Sequence, residues 1–346
     1  MAELRIAVVG AGIIGGTHMT ALERTGDMRL SAIVDPTDAA AGVAAARGVP
    51  HLRDVSDLVA RRLADGAVVA TPNETHVPIA EALLRAGVPA LVEKPVANSV
   101  DEGRRLLAAV EATGVPLLVG HHRRHNPMLR AVRKAIDDGT FGRLVTATVT
   151  STLAKPATYF DVAWRVAPGT GGPLLINLIH EIDMLRYFFG EVAQVTGLTS
   201  NASRGNVVED AAAAILGFAD GGIATLNVSD AACGPWAYDL TSGESPRFPV
   251  HDVHAHTYAG TRAGISLPDA AIWTHPGAPD WQTPMRRGKL AFTAGDPFVA
   301  QMRHFGAVIR GAAAPAVSCA DGVANMRVIA AIKQSSAERR PVTLSP

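Results

Sequence analysis

The sequence predicts two consecutive domains, an α/β domain built on a parallel sheet and an α+β domain with a mainly antiparallel sheet. Three observations predict this. At 346 residues the chain exceeds what one hydrophobic core usually serves. Up to residue 121, short apolar runs alternate with helical patterns, as in a parallel sheet covered on both faces. From residue 122 the strand-like runs follow one another without helices between them, which is antiparallel connectivity. The expected domains are therefore 1–121 and 122–346, and the C-terminal helix is free to pack back on the first.

In the first domain the expected strands are Ile6–Val9, Leu30–Val34, Ala67–Ala70, Ala90–Val92 and Leu117–Val119, with a short one near His51-Leu-Arg53. Each is rich in β-branched or aliphatic residues and short enough to be buried on both faces. Helical patterns fill the gaps, and the run from Val77 to Gly87 has proline in its first turn and glycine at its end. In the second domain a helix over Met128–Asp138 leads to expected strands Leu144–Thr152, Val192–Thr199, Ala211–Phe218, Ile223–Val228, Ala237–Leu240 and Ala255–Tyr258. Amphipathic helices over Asp296–Arg310 and Asp321–Ser335 follow.

The first strand runs directly into Gly10-Ala-Gly12-Ile13-Ile14-Gly15, and Asp35 closes the second strand twenty residues after Gly15. Strand, glycine turn, helix start and terminal carboxylate in this order form a dinucleotide site, which makes this a Rossmann domain. Gly10 permits the turn, Gly12 admits a pyrophosphate close to the backbone, and Gly15 lets the helix lie against the sheet. Phosphates then meet the unpaired N–H groups of a helix N-terminus. Asp35 would accept from the ribose hydroxyls and repel a 2′-phosphate. No Arg or Lys follows it before Arg47, so the expected cofactor is NAD.

Composition bounds the remaining possibilities. With 48% hydrophobic and 18% charged residues the chain is a globular protein. Thirty-two basic and thirty-two acidic residues balance, so no general field draws it to nucleic acid or to an anionic membrane. A strand begins close behind Met1 and no apolar run is long enough to span a bilayer, so a cytoplasmic location is expected. Cys233 and Cys319 lack CxxC spacing and read as reduced thiols.

Three further motifs stand out. The fourth strand ends in Thr71-Pro72-Asn73-Glu-Thr-His76 and the fifth in Glu93-Lys94-Pro95, at the carboxyl ends where open parallel sheets bind ligands. The third is Gly171-Gly-Pro-Leu-Leu-Ile176-Asn177-Leu-Ile-His180-Glu-Ile-Asp183, a glycine turn feeding a helix on which Asn177, His180 and Asp183 recur every third residue. In this order, and with Gly260-Thr-Arg-Ala-Gly264 and the helix from Pro297 to Phe305 behind them, the motifs resemble the Gfo/Idh/MocA family of NAD(P)-dependent oxidoreductases. The resemblance covers nearly the whole chain. It implies an open second-domain sheet whose exposed face serves homo-oligomerisation.

The resemblance also implies roles. Lys94 would hold the reacting oxygen and help relay its proton, and His180 would exchange that proton, a role suited to imidazole in general. Ile13, Ile14, Thr71, Pro72, Asn73, His76 and Glu93 would line the cofactor, although Thr-Pro-Asn is also ordinary turn chemistry. Arg123, at the domain junction, and Trp164-Arg165, before the glycine turn, would contact substrate. An arginine there could clasp a carboxylate, as would suit a sugar acid, but an ordinary surface or interdomain salt bridge is the favoured explanation. The chain departs from the family four residues before His180, where many members carry aspartate and this sequence has Ile176. Asn177 then becomes the nearest polar group, able to orient substrate or His180 but not to ionise. Asp183 is either a substrate contact or an anchor to neighbouring chain.

The expected activity is hydride transfer between NAD and a secondary alcohol of a small polyol, cyclitol, sugar or sugar acid. Two alternatives remain open: an NAD-dependent glycoside hydrolase of the same fold, and a non-catalytic NAD-binding sensor. His251, His254 and His256 lack an acidic or cysteine ligand at metal-binding spacing, so no metal is expected.

Overall fold

The computed structural model describes residues 2–345 and divides into two compact units, 1–126 with 295–324, and 127–294 with 325–346. The first division falls after Asn126. The penultimate helix belongs with the first unit, and the division falls inside the last helix, after Ala324.

The first unit contains strands β1 (Leu4–Val9), β2 (Met28–Val34), β3 (His51–Leu52), β4 (Gly66–Val69), β5 (Ala90–Val92) and β6 (Leu117–Val119). They form one parallel sheet in the order β3-β2-β1-β4-β5-β6. The interleaved helices are α1 (Ile13–Glu23), α2 (Ala39–Ala46), α3 (Val55–Ala60), α4 (His76–Arg85) and α5 (Val100–Thr113). Ile6, Ala7, Val8, Val68, Val69, Leu91 and Val92 are buried on both faces, which explains why these strands read as continuous apolar runs. Val9 pairs with Val34 and Val69, and Val92 with Val69 and Val119, so the carboxyl ends of five strands finish on one line.

The second unit opens with α6 (Pro127–Asp137) and β7 (Leu144–Thr152), then a π-helical turn over Leu174–Leu178 that continues as α7 (Ile179–Phe189). Strands β8 (Val192–Ser200), β9 (Ala211–Phe218) and β10 (Ile223–Ser229) follow, then a short helix α8 (Tyr238–Thr241). Next come β11 (His256–Gly260), β12 (Ala263–Leu267), β13 (Ala271–Thr274) and β14 (Arg286–Lys289). Helices α9 (Pro297–Ile309) and α10 (Cys319–Glu338) precede the last strand, β15 (Val342–Thr343). The sheet runs β14-β13-β12-β11-β7-β10-β9-β8-β15 and is antiparallel except at β7–β10, which is parallel. One reading is overturned: Ala237–Leu240 is not a strand, because Ala237 instead leads into α8, where Thr241 hydroxyl bonds back to the Ala237 carbonyl.

One face of this sheet is packed and the other is open. On the packed face α7 sets Phe188 and Phe189 edge-on to Tyr258, with ring centres 5.8 and 5.5 Å apart. On the other face Val145, Leu198, Ile215 and Ile223 are exposed. Among the described residues no helix is long and apolar enough to cross a membrane.

Candidate active site

The expected cofactor residues of the first unit gather along the line of strand ends. Gly10 has φ of +96°, and a Cβ there would meet the Ala70 carbonyl at 2.5 Å; a Cβ on Gly15 would lie 1.9 Å from the Gly10 carbonyl oxygen. Only glycine allows both contacts. Gly12 is exposed with nothing near its Cβ position, and it caps α1 without any side-chain hydrogen bond. The amide end of α1 is therefore open beside Ile13, which is exposed, and Ile14, which is partly so.

Asp35 is tied into this rim. Its carboxylate accepts from the Ala11 N–H at 2.9 Å and from both the backbone N–H and the hydroxyl of Thr37. Burial alone would raise its pKa, but the hydrogen bonds from Thr37 and Ala11 outweigh burial and lower it. The carboxylate stays charged. Arg53, which sequence distance hid, reaches back from beyond β3 to the Pro36 carbonyl and to Asp38.

Thr71, Asn73 and Lys94 remain partly open, and Pro72 is exposed. His76 and Glu93 are different. His76 is buried, with Nδ1 2.9 Å from the Pro95 carbonyl and Nε2 2.9 Å from that of Thr71, and burial pushes its pKa down. It braces two loops together. Glu93 accepts from the fully buried His18 Nε2 at 2.8 Å and from the Lys94 N–H at 3.2 Å. Burial would raise the Glu93 pKa, yet the His18 hydrogen bond and the charges of His18, Lys94 and His122 carry it down to about 2. Its carboxylate faces inward and fixes the backbone that presents Lys94. Arg123 is likewise buried within a short 3₁₀ turn, His122–His125.

In the second unit, His180 is buried in the first turn of α7. A π-helical turn, Leu174–Leu178, precedes it. Asn177 accepts from Lys155 Nζ at 2.8 Å, whereas Asp183, also buried, accepts from Asn325 Nδ2 at 2.8 Å. That oxygen of Asp183 thereby meets α10. Ile176 is partly exposed. Trp164 and Arg165 lie in a second 3₁₀ turn, Ala163–Arg165, and the Arg165 guanidinium stacks 4.0 Å from the centre of the Tyr159 ring.

Lys155 was missed in the sequence, although a signal was available: Lys-Pro follows β7 at 155–156 as it follows β5 at 94–95. Its side chain is buried, 3.8 Å from Asp230, which also accepts from Arg204 at 3.0 Å. Among the described residues no group of three His, Cys, Asp or Glu could hold a metal ion; His254 pairs with Asp269 and His256 with Glu181.

Comparison with known proteins agrees with this architecture. Residues 4–121 match the Gfo/Idh/MocA oxidoreductase family's NAD-binding Rossmann fold, and residues 133–344 its C-terminal alpha/beta domain. Inositol 2-dehydrogenase of Rhizobium meliloti is 30% identical over 351 residues, covering 99% of each chain. D-apiose dehydrogenase of Paraburkholderia graminis is 25% identical, covering 98% of this chain and 89% of its own length. Among solved structures, the WlbA dehydrogenase of Bordetella pertussis in complex with NADH and UDP-GlcNAcA superposes with a TM-score of 0.79, at 25% identity and 99% coverage of both chains. Both domains and the full-length relative point the same way: the chain belongs to the Gfo/Idh/MocA oxidoreductase family.

Proposed function

We propose that the protein is an NAD-dependent dehydrogenase acting on a secondary alcohol of a polyol, cyclitol, sugar or sugar acid. The observation that carries this reading is end-to-end similarity to dehydrogenases of such compounds, in a chain that keeps Lys94 and His180 where the family motifs have them. The cofactor supplies the hydride acceptor. The residues present fit it: the open Gly12 backbone at the start of α1 is a cradle for a pyrophosphate, and Gly10 and Gly15 leave no room for side chains beside it.

The choice of NAD over NADP rests on Asp35. Its charge is held by Ala11 and Thr37, and Arg53, the nearby cation, is engaged with Asp38 and the Pro36 carbonyl. Lys94 is assigned to hold the reacting oxygen and His180 to take its proton, with Asn177 orienting substrate. The open sheet face bearing Val145, Leu198, Ile215 and Ile223 supports assembly with further copies of the chain.

The test is a screen of polyols, cyclitols, sugars and sugar acids for NADH formation. Ile176, in place of the usual carboxylate, is the one feature that favours a non-catalytic NAD-binding protein, and such a protein would form no NADH with any member of the screen.

A further inference from the structure

Arg165 and Asn177 are joined through two other side chains. Arg165 lies 4.0 Å and Lys155 Nζ 4.5 Å from the centre of the Tyr159 ring, and Lys155 donates to Asn177 Oδ1 at 2.8 Å. An ammonium has donors only, so this contact fixes the Asn177 amide with its oxygen toward Lys155 and its NH2 turned away. Asn177 is partly exposed and makes no other side-chain hydrogen bond among the described residues, so that NH2 is a donor on offer.

Arg165 is a second unspent donor. One terminal nitrogen gives a hydrogen bond to the Tyr159 carbonyl at 2.8 Å, its Nε is buried without an acceptor, and among the described residues no carboxylate pairs with it. The ordinary salt bridge that sequence alone allowed is absent there. The acid of the cluster, Asp230, is buried and engaged by Arg204 and Lys155.

We propose that Arg165 and Asn177, held through Tyr159 and Lys155, form a carboxylate-recognition patch, so that the substrate is a sugar acid or other polyhydroxy acid and not a neutral polyol. This rests on the dehydrogenase reading above and narrows it. A carboxylate is an acceptor at every lone pair and matches the Arg165 guanidinium and the Asn177 NH2, which are both donors. A neutral hydroxyl both donates and accepts, and neither the guanidinium nor the NH2 can accept from its O–H. Lys155 is a positioning residue that sets which end of the Asn177 amide is presented.

The test is calorimetric titration of the NADH-loaded protein with matched pairs, D-gluconate against D-glucitol and D-glucuronate against myo-inositol. The acid of at least one pair should bind about tenfold tighter or more, corresponding to about 1.4 kcal/mol. Arg165→Met should erase most of that ratio, Arg165→Lys should restore part of it, and Asn177→Asp should lower it by placing a negative charge on the patch. Equal affinities within both pairs, no binding of either acid, or a ratio unchanged in both Arg165→Met and Asn177→Asp would overturn the proposal. NADH formation is read separately with NAD: acids that bind selectively but yield no NADH leave the carboxylate patch standing and remove the dehydrogenase reading.

Discussion

Glu93 Oε1 and His18 Nε2 meet at 2.8 Å inside the first unit, and both side chains are buried. The pair joins helix α1 to the end of β5. A Cβ at Gly120 would meet the same carboxylate at 2.8 Å, so the space around it is already filled.

The pair should make the protein acid-sensitive. The Glu93 pKa falls on folding from the ordinary 4.5 to about 2. A depressed folded-state value means that the unfolded chain binds the proton more readily, so this contribution is complete above about 4.5 and is lost as pH falls from there toward 2. Glu93→Gln should lower stability at neutral pH by about 3 kcal/mol, because His18 loses a buried charged partner. It should also flatten the decline in stability below pH 4.5. Urea unfolding at a series of pH values checks both, and a variant with the parent's acid profile would assign the sensitivity elsewhere.

Cofactor choice should follow Asp35. Because its carboxylate remains ionised, NAD should bind about tenfold tighter than NADP or more, a difference of about 1.4 kcal/mol. Asp35→Ser should narrow that gap mainly by improving NADP, since it removes the charge that repels the 2′-phosphate. Fluorescence titration with both reduced cofactors gives the ratio. A gap that survives the substitution would shift the selectivity to another residue.

Asp183 should behave as an anchor. Its hydrogen bond from Asn325 is buried, so Asp183→Ala should cost about 1–3 kcal/mol of stability by leaving the amide unsatisfied. In the surviving folded fraction KM should stay close to the parent value. A raised KM without loss of stability would return Asp183 to the substrate.

Much of this was legible in the sequence, and what was not has physical reasons. The parallel strands were clear because both of their faces are buried, so Ile6–Val9 and Leu117–Val119 read as unbroken apolar runs. Gly10, Gly15 and Asp35 were found because backbone contacts at Ala70, Gly10 and Ala11 demand those residue types. The strands β12 to β14 were missed because one is short, another ends beside proline, and Arg286–Lys289 is wholly polar at a sheet edge. The pairing of β7 with β10 was hidden for another reason, since strand order leaves no local trace. At the site, three-residue spacing suggested a shared face for Asn177 and Asp183, but spacing could not show their partners, Lys155 and Asn325. Lys155 and Arg53 act on residues more than a dozen positions away, beyond any periodic signal.

Proton transfer by His180 is tested by a paired measurement of turnover and cofactor affinity. Initial rates of NADH formation are compared for the parent and His180→Asn on the best substrate from the screen, alongside NADH affinity for both proteins. If His180 transfers the proton, turnover should fall about a hundredfold or more, with cofactor affinity within about threefold of the parent, the scale expected for a positioned acid–base group. Turnover at the parent rate in His180→Asn would contradict it.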